Sequence, residues 1–112
     1  MEIADTAWKK FRGLMLRPMP MPMLFVFDKP EKHGFHTFFM RFPIDFVFLD
    51  KNKEIVEIHE DVMPWRFVKS SKPFVYALEL AAGESRNLPK IRKMLNSANN
   101  QEEKHPLHTN ST

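Results

Sequence analysis

The chain of 112 residues contains no cysteine. That excludes a disulfide framework, a thiolate zinc site, an iron–sulfur cluster and a cysteine nucleophile. Glycine is nearly as scarce, with Gly13, Gly34 and Gly83 making up all 3. No glycine-rich phosphate loop can be built from them, and Ser70 and Ser71 lack the glycine-flanked elbow that exposes a catalytic serine. Nor does any apolar run approach the roughly 20 residues needed to cross a bilayer. The opening MEIADTAWKKFRG lacks the apolar stretch of a secretory signal, so a soluble, cytoplasmic protein with no membrane contact is expected. Charge of one sign is not in large excess either, with 17 Lys and Arg against 14 Asp and Glu. That margin makes nucleic acid an unfavoured partner, although Lys9, Lys10, Arg12 and Arg17 gather near the start.

What is abundant is apolar and aromatic: 43% of residues are hydrophobic and 11 are Phe. A chain this long forms one domain with a core of its own. Asp5 or Thr6 is placed to cap a short helix over 6–12, with Trp8 and Phe11 on one face and Gly13 at its end. The alternating Pro and Met of 18–22 forbid helix and central strand alike, and read as a connector. Runs rich in aromatic and β-branched residues at 23–27, 35–40, 44–49, 54–62 and 74–80 predict five strands, the third and fourth of these joined as a hairpin by the turn residues of 50–53. Pro89 opens a short helix over 89–96, and the polar stretch 97–112 reads as a disordered tail. The β domain therefore spans 1–88. Mostly consecutive strands without crossover helices predict a mainly β fold, a compact antiparallel barrel or sandwich-like domain with short helices near its two ends.

Strand alternation places His36 and Met40 on one side of 35–40, and Asp45 with Val47 and Leu49 on one side of 44–49. A carboxylate entering a buried strand needs a partner, and Arg41 is the expected one, locking the bend at Pro43. Glu79 alternates with Val75 and Ala77 and is expected to face water, unless it meets Asp45 or His36 across the sheet. Trp65 and Arg66 stand in the longest connection, where binding residues concentrate. His33, His36 and the His59-Glu60-Asp61 run lack diagnostic metal spacing, so no metal site and no cofactor are expected.

The segments GLM-R at 13–17, FMRFPIDFVFLD at 39–50 and LELAAG at 78–83, in series, resemble domain of unknown function family number 192 in its archaeal style. The resemblance covers about residues 3–85. It implies a compact, mainly antiparallel β domain and assigns no activity. The family pattern falls on Gly13, Leu14, Met15 and Arg17, on Phe39, Met40, Pro43, Asp45 and Asp50, and on Glu79 and Gly83. Relatives carry a strand or hairpin ahead of the helix that opens near Asp5 and a closing strand near a Val-Gly-Asp turn. An incomplete sheet edge is therefore expected, with a monomer or weak homodimer as the assembly.

Three functions follow as expectations. The leading one is a non-catalytic β domain binding a small molecule, sugar or peptide near His36, Met40, Arg41, Asp45, Trp65 and Glu79. The second is a hydrolase-like enzyme using Asp45 or Glu79 with His36 as acid–base groups. The third is a nucleic-acid or protein interaction module using the basic N-terminal cluster.

Overall fold

Phenylalanines and β-branched residues fit a pleated, half-buried surface, and they fall on seven strands in the computed structural model. It describes residues 1–6, 10 and 17–103, with side chains through residue 98. The strands are β1 (Glu2–Ala4), β2 (Met23–Glu31), β3 (Gly34–His36), β4 (Ile44–Leu49), β5 (Ile55–Val62), β6 (Phe67–Lys69) and β7 (Phe74–Ala81). Five of them form one sheet in the order β1-β2-β7-β4-β5, and β3 pairs with β6 in a second, two-stranded sheet. The large sheet does not close into a barrel; the domain is mainly β and sandwich-like. Its β1–β2 pair is parallel, while β2, β7, β4 and β5 run antiparallel.

The two faces of the large sheet are covered differently. One lies under the β3–β6 sheet, in a cluster that includes Phe25, Phe35, Phe46, Phe48, Phe74, Met23 and Met40. The other lies under a helix, α1 (Leu88–Glu103), in a cluster of Leu24, Val47, Leu49, Leu78, Leu80, Ile91, Leu95 and Ala98. The helix begins where Asn87 accepts the amide of Lys90 on its side chain, at 3.2 Å, and that of Ile91 on its carbonyl, at 3.1 Å. It continues to Glu103, beyond the expected end at 96, because Ala98 lies one turn past Leu95 on the buried stripe and is itself fully buried. The part of the polar tail beyond 103 lies outside the described residues.

Three further differences from the expected strands position the site. The strand expected over 35–40 stops at His36, because Phe39 takes a left-handed conformation (φ 62°) that no strand tolerates. β1 and β6 are too short to stand out in the sequence. The β4–β5 hairpin is as expected, its turn held by Asp50, whose Oδ1 accepts the amides of Asn52 at 2.8 Å and Glu54 at 3.0 Å. The helix expected over 6–12 lies outside the described residues, apart from a 3.0 Å backbone bond from the Lys10 amide to the Thr6 carbonyl.

Candidate functional site

Thr37 is fully buried where the two-stranded sheet ends, and two loops are hung from it. Its Oγ1 accepts the Arg66 amide at 2.8 Å and donates to the Met63 carbonyl at 2.7 Å. Its own amide donates to the Arg66 carbonyl at 2.8 Å, and its carbonyl accepts the amides of Trp65 at 3.0 Å and Met40 at 3.3 Å. A residue with these bonds fixes the loop after β3 against the loop before β6. Both loops pass through left-handed backbone at a bulky aromatic residue, Phe39 (φ 62°) and Trp65 (φ 64°). Each such position costs about 1–2 kcal/mol without glycine.

The two strained residues are also exposed, Phe39 at 51% and Trp65 at 56% of their surface. They touch each other, with ring centroids 4.7 Å apart. Trp65 stacks on Phe38 at 5.7 Å and 29°, and Phe38 on His36 at 5.0 Å and 27°. Met63 and Phe67 add exposed apolar surface to this rim, and Met40 lies buried among the core phenylalanines. Strain of this kind persists only where the surroundings over-determine it, and it gathers at ligand clamps and active sites. Chemically the rim offers ring faces and edges for stacking, with the Arg66 guanidinium 3.5 Å from the Trp65 carbonyl beside it.

Two buried carboxyl groups lie within the large sheet. Asp45 stands opposite the bulge where β5 shifts register between the partners of Ile44 and Phe46. Its Oδ1 accepts the Asp61 amide that the bulge frees, at 2.9 Å, and its Oδ2 accepts the amides of Gly83 at 2.9 Å and Ser85 at 3.0 Å. Burial alone would raise this carboxyl; hydrogen bonds from Ser85, Asp61 and Gly83 outweigh it and hold the group below its ordinary 3.8. The side chain thus joins β5 to the turn that leads into α1. Gly83 supplies the left-handed backbone (φ 91°) of that turn. Glu79 is 1% exposed, and its Oε1 has no partner. Desolvation raises its carboxyl to about 8, so it is largely protonated at neutral pH.

These positions correct several expectations. Asp45 is not paired with Arg41, whose side chain is exposed; backbone amides reach the carboxylate first. Glu79 is buried rather than facing water, because both faces of the sheet are covered. Asp45 and Glu79 do not meet: in the β4–β7 register Glu79 pairs with Phe46 and Asp45 with Leu80, so the two side chains project to opposite faces. His36 and Trp65 are brought together through Phe38, whereas Asp45 projects to the face of the large sheet opposite Met40. Thr37, Phe38 and Phe67 are site residues that the sequence does not single out, and Phe39 enters there only through the family pattern. The signal in the sequence for them is two aromatic segments, 35–42 and 65–68, both free of acidic residues.

The remaining polar clusters are architectural. Glu57 accepts the Ser71 hydroxyl at 2.6 Å and amide at 3.0 Å and also bonds the His59 ring, tying the loop before β7 to β5. His33 stacks on Phe27 at 3.8 Å. Among the described residues no group of three or more His, Asp or Glu could hold a metal ion, and no helix is long and apolar enough to cross a membrane. Shallow grooves of about 170 and 270 Å³ lie beside Lys53, Glu54, Arg92 and Leu95, between the β4–β5 turn and α1 and away from the rim. Of the cluster at the start, Arg17 makes a bidentate pair with Glu2 at 2.9 and 2.8 Å and Lys10 sits 4.5 Å over the Phe27 ring, while Lys9 and Arg12 lie outside the described residues.

The model of the family DUF192, described as an uncharacterized ACR, matches residues 1–92. The chain belongs to DUF192. A UPF0127 protein of Thermococcus sibiricus is 36% identical over 85 residues, 73% of this chain and 54% of that one. Another, of Pyrococcus furiosus, is 37% identical over 78 residues, 68% of this chain and 66% of its own length. The DUF192 chain thus spans just over half of the first relative. Among solved structures, a "putative transcription regulator" from Sinorhizobium meliloti superposes with a TM-score of 0.73 at 29% identity, covering 79% of this chain and 72% of that one. A protein of unknown function from Novosphingobium aromaticivorans gives 0.70 at 23% identity, over 76% and 65% of the two chains, and shares the fold. Three positions of the DUF192 pattern, Asp45, Asp50 and Gly83, hold backbone turns in this structure.

Proposed function

We propose that this DUF192 chain is a non-catalytic binding domain whose ligand, in the small-molecule, sugar or peptide range, rests on the rim formed by Phe38, Phe39, Trp65 and Phe67. The observation that carries the reading is that Phe39 and Trp65 are both strained and more than half exposed. Burial does not repay their backbone conformation, so a function other than core packing accounts for it. The acid–base alternative has less support. Asp45 spends both oxygens on backbone amides, and Glu79, on the other face of the sheet from Asp45, is 1% exposed and so closed to a substrate.

The test is a fragment screen by amide chemical-shift perturbation, using aromatic fragments, saccharides and short peptides. Hits are expected to move the amides of 36–40 and 63–67 most, and to vanish in the double variant Phe38→Ala, Trp65→Ala. A screen without hits, or one whose hits map to the α1 grooves and survive the double variant, removes the proposal.

A further inference from the structure

Charge is distributed around the rim in a way that overall composition conceals. The layer that carries it, residues 32–44 and 62–73, contains none of the chain's 14 acidic residues. It contains Lys32, Arg41, Arg66, Lys69 and Lys72, all exposed. Of the flanking carboxylates, Glu31 pairs with Lys29 at 3.4 Å and His33 at 3.9 Å, Glu57 bonds Ser71 and His59, and Asp45 bonds three backbone amides, while Asp61 beside Val62 is exposed. The outward side of the two-stranded sheet therefore pairs exposed rings with uncompensated positive charge.

Ring geometry narrows the chemistry further. His36, Phe38 and Trp65 step along the rim with neighbouring planes within 29° of each other. Phe67, on the strand beside them, is 67% exposed. Its ring tip lies over Gly34 so closely that a Cβ there would sit 2.4 Å from Cζ, so only glycine leaves it room. Four of the five exposed apolar residues here are aromatic and one, Met63, is aliphatic. Rings interleaved with basic side chains, and no carboxylate among them to repel a phosphate, suit a polyanion with flat groups. An aliphatic protein surface would be met better by leucine and isoleucine.

We infer that the occupant of the rim is single-stranded nucleic acid, its bases stacking on Phe38, Phe39, Trp65 and Phe67 and its phosphates meeting Arg41, Arg66 and Lys69. The inference rests on the reading of the rim as a binding surface. It differs from the interaction module expected from Lys9, Lys10, Arg12 and Arg17, since a separate set of residues carries it. Every base has a face to stack, so binding is tolerant of sequence and requires an unpaired strand. Phosphate contacts make it salt-dependent.

The experiment is fluorescence anisotropy of a labelled oligo-dT of about 15 nucleotides with the full chain, beside a duplex of equal length and poly-glutamate as competitors. Oligo-dT is expected to bind at about 50 mM salt and to weaken steeply by about 200 mM. Trp65→Ala or Phe38→Ala should weaken it about tenfold or more. Arg66→Gln and Lys69→Gln should each reduce the salt slope by about 0.7. Gly34→Ala, which displaces the Phe67 ring, should also weaken it, with the melting temperature recorded for every variant. No binding at low salt, duplex binding as tight as single strand, displacement by poly-glutamate at equal charge, or indifference to Trp65→Ala each overturns the inference. If oligo-dT fails while rim-dependent fragments still bind, nucleic acid alone is excluded. If both fail, the rim goes with it.

Discussion

The two faces of the large sheet solve the same burial problem with different residues. Beneath α1 the side chains are aliphatic, Leu, Ile, Val and Ala. The buried carboxylate on that side, Asp45, has three backbone donors. Beneath the β3–β6 sheet they are mainly Phe and Met, and the buried carboxyl on that side, Glu79, has an oxygen without a partner. The aromatic packing does not stop at the core; through Thr37 it continues into the exposed rings of the rim. The carboxylate of one face is fully bonded, whereas the other face carries the unpartnered carboxyl and leads to the strained, exposed rings. That contrast makes the aromatic side the place to look for function.

The largest effect should come from breaking the satisfied side. Asp45→Ala orphans three backbone amides, that of Ser85 buried and those of Asp61 and Gly83 partly so, and is expected to cost about 4 kcal/mol, read as a loss of denaturant midpoint. A loss below about 1 kcal/mol would mean that water replaces the carboxylate and that the face is not sealed. In the native chain the Asp45 contribution is present above its unfolded value of 3.8 and is lost as pH falls through its lower folded value. Stability should therefore decline on strong acidification, and Asp45→Asn should flatten that decline.

Glu79 should give the next largest effect, with the opposite pH sign. Its carboxyl is raised from 4.5 to about 8 in the folded state, so the folded chain holds a proton that the unfolded chain has released. Its effect on stability is absent below about pH 4.5, grows as pH rises and levels off above about 8. Glu79→Gln is neutral throughout, and should exceed the parent by about 3 kcal/mol near pH 7 while matching it near pH 4. Equal stability of the two chains at both values would show that the carboxyl has a partner and that the two faces are alike.

How much of this contrast was legible in the sequence depended on range. Alternation in β4 correctly grouped Asp45 with Val47 and Leu49, and in β7 grouped Glu79 with Ala77, because period-2 geometry is local. Which face was covered, and by what, was not local. The two-stranded sheet joins Gly34 to Lys69 across 34 intervening residues, and strands of three residues carry too little pattern to detect. The Asp45 partners are backbone amides, which every residue but proline has and no sequence marks. Phe39 was read as strand because its side chain suits one; Thr37 and its bonds set the backbone against that preference. The helix was cut short for a related reason, since Ala98 in a polar run registers as core only once its neighbours are known.

Thr37 tests whether the rim belongs to the aromatic core or merely adjoins it. Thr37→Val keeps the volume and removes the hydroxyl that serves Arg66 and Met63. About 2 kcal/mol of stability should be lost, with faster amide exchange confined to 37–40 and 63–67. Exchange that quickens equally throughout the sheet would mean that the loops have no separate anchor.

The smallest expected effect is the most informative about function. Replacing a buried ring of the aromatic face, as in Phe48→Ala, should cost about 3–5 kcal/mol because a cavity remains. Trp65→Ala removes a larger side chain, yet its ring is mostly in water, so the change should stay within about 0.5 kcal/mol. The alanine keeps the unfavourable left-handed backbone (φ 64°), whereas Trp65→Gly relieves it and should recover up to about 1 kcal/mol. A chain that becomes no less stable, or more so, when its exposed tryptophan is removed retains that residue for something other than folding. A loss above about 2 kcal/mol in Trp65→Ala would instead make the ring part of the core, and the difference between the rim and the packed face beneath it would disappear.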